Sequence, residues 1–311
     1  MKDYVDRCTF LCRILRFVLY SMGESKDWIL RENEKLLRRC SSLEHAKVLV
    51  PSLITDFESS DRVKILGDCE GHTLCKLVNV ADTVYVIRSF FSRAGVEDLA
   101  SEIVSTLIDS PPHANNLEPE SPQSGSRNLW TDFVDDDDRL SKNTIKKLRW
   151  SCVGYHYNWG SRTYDKSKKS VFPLSFEKAY EKILRIIGEL TQSTLHLRGD
   201  PQSAIINFYH AHRVSDRLGG HRDDVESADR TPLVSISLGL SGLFLIDSEA
   251  ILLRSGDVLV MVDNARQCLH AVPCILKNSV KYHSDGENHQ LAQVSRFLSD
   301  TRISISIRQV F

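Results

Sequence analysis

Two histidines and one aspartate have the residue types and the spacing of a metal-binding set. His221 and Asp223 stand two residues apart in the string Gly-Gly-His-Arg-Asp, and His270 follows further along the chain. Side chains two apart on an extended segment project to the same side, so His221 and Asp223 can share one ion. Two histidines and a carboxylate form the facial triad of non-haem Fe(II) oxygenases, which leaves positions open for co-substrate and dioxygen. His-x-Asp is common by chance, so this pattern alone predicts a metal site only weakly.

Two arginines near the carboxyl end of the chain add a second observation. Residues 302–308 read Arg-Ile-Ser-Ile-Ser-Ile-Arg, and strand alternation places Arg302, Ser304, Ser306 and Arg308 on one face. The polar face of such a strand is usually exposed to solvent. Inside a β-rich domain, however, a guanidinium group is the natural bidentate partner of a dicarboxylate such as 2-oxoglutarate. Without such a partner its burial would be costly.

The elements that must position these residues are short strands rich in β-branched residues and separated by glycines. Asn207 and Tyr209 share a face of the first of them, and both side chains can donate hydrogen bonds to a carboxylate. Strands at this spacing, with no helix between them, predict a closed or double-sheet β architecture. The predicted strands are 204–209, 233–238, 243–246, 258–262 and 303–310.

The segment before this region contains the other predicted elements. Apolar residues at helical spacing predict a core-facing helix from about residue 176 to 190, with Ser175 as its N-cap. A strand at 84–91 is expected to lead into a helix near 94–108. Residues 109–127 are rich in Pro, Ser and Asn and predict a surface loop or linker. The acidic run 135–138 is interpreted as a solvated loop, with metal binding as the less common alternative.

Residues 1–80 are expected to be mostly helical. Their first part, 8–20, is apolar but interrupted by Arg13 and Arg16. It has some character of an amphipathic presequence, against which Asp3 and Asp6 argue, and a plain N-terminal helix is favoured.

A basic and aromatic stretch precedes the predicted core. Cations that attract phosphates, interleaved with rings that stack on bases, suit nucleic-acid binding. A solvated basic face over an aromatic half-core explains the stretch equally well, and the residues leave both interpretations open. The cations are Lys142, Lys146, Lys147, Arg149, Arg162, Lys166, Lys168 and Lys169, and the aromatic residues are Trp150, Tyr155, Tyr157, Trp159 and Tyr164.

Composition excludes several classes of protein. The chain has 40 Lys and Arg against 41 Asp and Glu, so a globally basic nucleic-acid binder is excluded while a local basic patch is not. Its eight cysteines form no Cys-x-x-Cys motif and are expected to be reduced thiols of an intracellular protein. No apolar run reaches the length of a transmembrane helix, so no membrane association is predicted.

With these motifs together, the sequence resembles the AlkB family of Fe(II)/2-oxoglutarate-dependent nucleic-acid dioxygenases. The similarity lies in residues 203–239, 254–273 and 302–310. It extends to Leu-Arg-Trp at 148–150 and Gly-Tyr-His-Tyr-Asn-Trp at 154–159, which are most similar to the animal homologue-one branch. The resemblance implies an α+β fold in which a double-stranded β-helix, or jelly-roll, is flanked by helices and preceded by a helical N-terminal extension. It also implies a division into that extension (1–80), a substrate-recognition lid with supporting helices (81–200) and the dioxygenase core (201–311).

The resemblance further implies roles for individual residues. Iron would be bound by His221, Asp223 and His270. The co-substrate positions of the family fall on Asn207, Tyr209, Arg302, Ser304, Arg308 and Tyr157. Family members usually carry Asn where this chain has Ser304, and often Thr where it has Ser306.

The implied reaction is oxidative demethylation of an N-methylated base, with release of formaldehyde, succinate and carbon dioxide. N1-methyladenosine in tRNA is favoured, and N6-methyladenine in DNA or oxidation of a wobble methylcytosine are alternatives. Substrate contacts are expected from Trp130, Arg149 and Trp150, with Asp223 at the border between metal and substrate. The two tryptophans have a structural alternative, in which they only pack the lid against the core. A monomer in the nucleus or the mitochondrion is expected, with unpaired nucleic acid as its partner.

Three other functions compete with this interpretation. A protein-directed oxygenase, such as a histone demethylase, would use the same iron site without an aromatic clamp for a base. A catalytically idle nucleic-acid-binding module would have no reason to keep the complete set of site residues. A zinc hydrolase would fit the ligand types but would leave the paired arginines unexplained.

Overall fold

The computed structural model describes residues 26–38, 40–80, 83–117, 129–131, 144–192, 197, 199–213, 216–227, 230–282 and 289–311. The possible presequence, the acidic run 135–138, Lys142 and most of the predicted linker 109–127 lie outside the described residues.

The described strands form two antiparallel sheets. The strands are β1 Val63–Cys69, β2 His72–Leu77, β3 Val84–Ile87, β4 Ala114–Asn115, β5 Trp150–Asn158, β6 Thr163–Lys169, β7 Ser203–His210, β8 Leu218–His221, β9 Leu233–Gly239, β10 Gly242–Ile246, β11 Glu249–Leu253, β12 Val258–Met261, β13 His270–Ile275 and β14 Thr301–Arg308. The larger sheet contains ten strands in the order β1-β2-β3-β12-β9-β14-β7-β5-β4, with β6 paired to β5, and the smaller contains four in the order β11-β10-β13-β8.

Helices cover the outer faces of both sheets. The α-helices are α1 Lys26–Leu37, α2 Leu43–Leu49, α3 Arg93–Glu102, α4 Leu174–Thr191 and α5 His289–Asp300, with a π-helical turn at Ile103–Leu107 and a 3-10 turn at Asp263–Gln267. Apolar residues of α3, α4 and α5 share one core with the outer face of the large sheet, and those of α1 and α2 share another with the small sheet. A third core, between the two sheets, contains Val84 and Leu259 from one sheet and Phe244 and Val272 from the other.

Strand alternation divides the residues of β14 between two environments. Ile303, Ile305 and Ile307 are fully buried under the helices, while the arginines and serines between them face the small sheet. In register, Ser304 stands opposite Asn207 on β7. The predicted division into two unlike faces is therefore confirmed, and the polar face is interior, as the co-substrate interpretation of the two arginines expects.

Three expectations about local structure are wrong. Residues 63–77, inside the predicted helical segment 1–80, form the β1–β2 hairpin. Glu70 and Gly71 both have positive φ (52° and 77°), as in the type I′ turn that closes two-residue hairpins. Helix α4 begins at Leu174 with Pro173 at the cap, so Ser175 is not its N-cap. Helix α5 lies between β13 and β14, where the sequence predicted no helix. The helix was missed because few of its residues are buried and its apolar pattern is short.

The predicted strand near residue 84, the helix after it and the strands of the core are confirmed, whereas the division at residues 80 and 200 stays a prediction. The strand at 84 does lead into a helix, and all five predicted strands of the core are present. Among the described residues, no helix combines the length and the apolarity that crossing a lipid bilayer requires.

Candidate metal and co-substrate site

The three predicted metal ligands meet where two strands of the small sheet pair. His221 ends β8, His270 begins β13, and the two residues are partners in the ladder. Asp223 is the second residue after β8. One ligand atom from each residue lies within 4.8 Å of the others. Asp223 Oδ2 is 3.3 Å from His270 Nε2. The sequence spacing and the antiparallel register together bring the set to one point.

Backbone carbonyls orient both imidazole rings. His221 Nδ1 lies 2.9 Å from the carbonyl oxygen of Gly219, and His270 Nδ1 lies 3.1 Å from that of Cys268. A carbonyl oxygen only accepts hydrogen bonds, so each Nδ1 donates to its carbonyl, and Nε2 is the ring atom left for a metal. A hydrogen bond of this kind commonly fixes the tautomer of a metal-binding histidine.

The ionisation states suit a divalent cation. Burial, followed by the neighbouring His270, lowers the pKa of His221 to about 4, so its ring is neutral near pH 7. Burial acts to raise the pKa of Asp223, but Arg308, His270 and His221 together outweigh it, and that pKa lies well below its usual value. Neutral imidazole and ionised carboxylate are the forms that bind metals. The residues present therefore fit the two-histidine, one-carboxylate site of Fe(II) oxygenases.

A cavity of about 180 Å³ lies between the sheets beside this set. All six predicted co-substrate residues line it, together with all three metal ligands and Ser306. Its lining includes Tyr157, Asn207, Tyr209, His221, Asp223, His270, Arg302, Ser304, Ser306 and Arg308. Burial raises the pKa of Tyr209 to about 12, so its phenol remains a hydrogen-bond donor.

Arg302 is a buried cation whose hydrogen bonds all go to neutral acceptors. The residue is 1% exposed, and its Nη atoms donate to the carbonyl oxygen of Leu240 at 3.2 Å and to Ser237 Oγ at 2.9 Å. Its buried Nε has no partner within the described part of the chain. Burial lowers the pKa of Arg302 to about 10. A carboxylate of 2-oxoglutarate would supply both the missing counter-charge and the missing acceptor.

Space for this guanidinium depends on one glycine of the opposite sheet. A Cβ atom at Gly242 would lie 2.7 Å from Arg302 Nε, which is closer than real Cβ contacts. The side chain of Arg302 therefore lies against the bare backbone of β10.

Arg308 joins the metal set to a buried ionic network. Its Nη1 lies 2.8 Å from Asp223 Oδ1 and 2.8 Å from Glu226 Oε1. Glu226 also pairs with the fully buried Arg266 at 3.2 Å and accepts a hydrogen bond from Tyr164 at 3.3 Å. Sequence reasoning missed Glu226 and Arg266. Glu226 stands three residues after Asp223, but neither residue has a pattern that marks it as part of a site.

The structure separates the predicted substrate residues. Trp130 is buried and packs edge-to-face on Phe297 of α5, with ring centroids 5.7 Å apart, and it does not line the cavity. Arg149 is held by the buried Asp216 through an ion pair of 2.5 Å. Trp150 lies against Trp159, with ring centroids 5.5 Å apart.

Trp159 has the position at the cavity that was expected of Trp130 and Trp150. It lies just beyond β5, is 47% exposed, lines the cavity, and meets Tyr157 edge-to-face at 4.8 Å. Arg162 and Arg222 line the cavity as well. The aromatic content of 154–159 was visible in the sequence, but which ring borders the cavity was not.

Comparisons with known proteins agree with this site. Residues 84–308 match the model of the 2OG-Fe(II) oxygenase superfamily. Over 254 residues the chain is 30% identical to the tRNA demethylase abh1 of Schizosaccharomyces pombe. The aligned region covers 74% of this chain and 80% of abh1. It is 33% identical over 183 residues to the DNA N(6)-methyladenine demethylase ALKBH1A of Arabidopsis thaliana, and 29% identical over 185 residues to the human nucleic acid dioxygenase ALKBH1.

The extent of these matches differs. The alignments cover 54% and 55% of this chain, and the chain spans only 50% of the Arabidopsis protein and 45% of the human one. The solved structure of OsALKBH1 matches with a TM-score of 0.50 at 18% sequence identity, over 75% of this chain and 99% of that one. At this identity the structural match supports the fold alone, and it confirms the predicted jelly-roll. On the family match and the homology to abh1, the chain belongs to the 2OG-Fe(II) oxygenase superfamily and, within it, to the AlkB family.

Proposed function

We propose that this chain demethylates N-methylated bases in nucleic acid, with N1-methyladenosine in tRNA as its preferred substrate. The observation that carries the proposal is one cavity with the metal set and two buried arginines inside it, and an exposed tryptophan and two cations at its border. The fission-yeast relative is a tRNA demethylase, and it is the relative above whose length this chain largely spans. N6-methyladenine in DNA and a wobble methylcytosine are the alternative substrates.

His221, Asp223 and His270 would hold Fe(II), and Arg302 with Tyr209 would hold the distal carboxylate of 2-oxoglutarate. When bound, iron and 2-oxoglutarate supply the oxidation of an N-methyl group by dioxygen, which yields succinate, carbon dioxide and formaldehyde. The protein orients the groups and excludes water. Arg308 and Arg266 neutralise Asp223 and Glu226, so the buried carboxylates leave no net charge there.

A base must leave its stack to reach this cavity, so the substrate is an unpaired or extruded nucleotide. Trp159 offers an exposed ring beside Tyr157, and stacking on an aromatic side chain offsets about 1–3 kcal/mol per base. The ring of Trp150 packs against the ring of Trp159. We therefore assign the base-stacking role to Trp159, with Asp223 at the border between metal and base.

Cations near the cavity suit the phosphates on either side of such a base. Arg162 pairs with Asp224 at 2.7 Å on the surface, and exposed pairs of this kind contribute little energy, so the arginine can exchange Asp224 for a phosphate. On β6, Lys166 lies over the Phe311 ring and Lys169 over the Tyr155 ring. With Lys168 they give that strand a basic edge. Lys146 and Lys147 are further candidates just before β5.

The proposal includes a monomeric enzyme that acts in the nucleus or the mitochondrion, the compartments expected from the resemblance. Size-exclusion chromatography with light scattering and fractionation of cells that express the tagged chain would test these two points.

The test is turnover with defined substrates. Purified protein receives Fe(II) and 2-oxoglutarate without oxygen, and then oxygen with RNA or DNA oligomers carrying single methylated bases, or with methylated histone peptides. Succinate, formaldehyde and base mass are measured together, with His221→Ala as the inactive control. We expect matched succinate and formaldehyde with loss of a methyl group, fastest on a tRNA stem-loop. Succinate formation stimulated by a peptide and by no nucleic acid would overturn the proposal in favour of a protein-directed oxygenase.

A further inference from the structure

The metal ligand His221 lies at the end of a weakly paired edge strand. β8 has four residues and lies at the edge of the small sheet. Among the described strands it pairs only with β13, at His270↔His221 and Val272↔Leu218, with a register irregularity between the two pairs. A short edge strand with an interrupted ladder does little by itself to hold a side chain to the tolerance that a metal requires.

Helix α1 lies along the other side of this strand. Glu34 of α1 is 3% exposed, and its Oε2 accepts the backbone N–H of Gly220, the residue before His221, at 3.3 Å. Its Oε1 accepts from Arg38 Nη2 at 3.1 Å, which balances the buried charge. The carboxylate of Glu34 thus accepts a backbone hydrogen bond at the outer edge of β8, as the carbonyl of a neighbouring strand would.

The close approach of α1 requires glycine at this point. A Cβ atom at Gly220 would lie 3.3 Å from Leu30 Cδ2 and 3.4 Å from Glu34 Oε2, tighter than most real Cβ contacts. The Gly-Gly pair before His221 therefore has a packing reason on the α1 side of the strand.

A second contact holds the residue on the other side of His221. Arg222 Nη2 pairs with Asp27 Oδ2 at the start of α1 at 2.5 Å, and Arg222 Nε donates to the carbonyl oxygen of Gln267 at 2.9 Å. Gln267 precedes the other metal-binding histidine, His270, by three residues. Both flanks of His221 are therefore tied to α1, and one of them also to the segment that leads into His270.

We propose that Glu34 is a positioning residue for the metal site, which holds His221 in place through the Gly220 N–H, and that Asp27 assists it through Arg222. This gives α1 a function that its sequence did not indicate. The proposal rests on the metal site of the oxygenase superfamily and not on the identity of the nucleic acid. A failure of the substrate proposal therefore leaves it intact.

The experiment measures binding of Co(II), as a stable probe for Fe(II), to the full chain by calorimetry and by the visible absorption of the bound ion. Glu34→Ala removes the acceptor, and we expect about 10- to 100-fold weaker Co(II) binding with an altered absorption spectrum. Glu34→Gln keeps an acceptor oxygen and should restore affinity to within about threefold. The matched control is Glu32→Ala on the same helix, which removes only an exposed pair with Lys35.

Unchanged Co(II) affinity in a folded Glu34→Ala variant would overturn the proposal. Equal losses in Glu34→Ala and Glu34→Gln would also overturn it, because the amide keeps the acceptor. If Glu34→Ala does not fold, the Co(II) affinity of Asp27→Ala tests the proposal instead. The side chain of Asp27 is 41% exposed, so we expect Asp27→Ala to fold. We expect Asp27→Ala to weaken Co(II) binding by about two- to fivefold, as an exposed ion pair allows, and affinity equal to that of the unaltered chain would contradict the proposal.

Discussion

The Nη1 atom of Arg308 lies 2.8 Å from the Oδ1 atom of Asp223, so the last strand of the core contacts a metal ligand directly. Burial acts to lower the pKa of Arg308, but Asp223, Tyr164 and Glu226 outweigh it and raise that pKa well above its usual value. The arginine therefore remains charged and, together with Arg266, compensates the carboxylates of Asp223 and Glu226.

Replacement of this arginine tests that compensation. Arg308→Gln leaves Asp223 without its cation, and breaking such a buried pair costs about 3–5 kcal/mol of unfolding free energy. Because Mn(II) would then replace the lost charge, Mn(II) should raise the Tm of Arg308→Gln by more than it raises that of the unaltered chain. The control is Arg162→Gln, an exposed arginine of the same cavity. Equal Mn(II) effects in all three proteins would contradict this account.

Removal of the second buried arginine should act on the co-substrate. Arg302→Met removes the charge and its Nη donors while keeping an unbranched apolar side chain. Charge-assisted hydrogen bonds contribute about 1.5–3 kcal/mol each, so the Kd for 2-oxoglutarate should rise about 100-fold or more. Calorimetry with Mn(II)-loaded protein measures this Kd. Ser237→Ala removes only one of the neutral acceptors of Arg302 and should change the Kd little, whereas similar losses in both variants would count against the role of Arg302.

Replacement of Trp130 should affect stability, whereas replacement of Trp159 should affect substrate binding. Trp130→Ala should lower the unfolding free energy by about 3–5 kcal/mol, since it leaves a cavity beside Phe297. Trp159→Ala should leave stability nearly unchanged and raise the KM for a methylated oligonucleotide about 10- to 100-fold, with the Kd for 2-oxoglutarate unaffected. Urea unfolding and steady-state kinetics measure the two effects. A selective loss of oligonucleotide affinity in a stable Trp130→Ala variant would restore Trp130 as a substrate residue.

Acid stability should depend on His210. Burial lowers its pKa from 6.5 to about 4; its Nε2 lies 2.9 Å from the carbonyl oxygen of Leu148. The unfolded chain binds this proton more tightly than the folded one. The contribution of His210 is therefore complete above about pH 6.5 and is lost as the pH falls towards 4, by about 3 kcal/mol in all.

The measurement is urea unfolding between pH 7 and pH 4. The unaltered chain should lose unfolding free energy over this range, and His210→Asn should lose about 3 kcal/mol less. His45 is exposed, so His45→Asn serves as the control. Its unfolding free energy should change with pH as that of the unaltered chain does. Parallel pH curves for all three proteins would show that His210 is not the group responsible.

The spacing of residues along the chain determined much of the site. The His-x-Asp motif and the later histidine mark the three metal ligands, and alternation in β7 and β14 marks Asn207, Tyr209, Arg302, Ser304 and Arg308. The family resemblance adds Tyr157, and all nine residues line one cavity. The patterns lead to one cavity because they depend on local strand geometry, whereas the roles of these residues stay predictions. A strand has a period of two residues, and antiparallel pairing brings Ser304 opposite Asn207 and His270 opposite His221.

Only the tertiary structure decided which long-range contacts complete the site. Glu226 and Arg266 carry no local signal, because their role exists only where separate segments meet around Arg308. Glu34 also carries no local signal, because its hydrogen-bond partner Gly220 lies far along the chain. Trp130 and Trp159 are alike in the sequence, and packing makes one a core residue and leaves the other exposed at the cavity. Periodicity shows which face of an element is polar, but the chain must fold before a polar face has a partner.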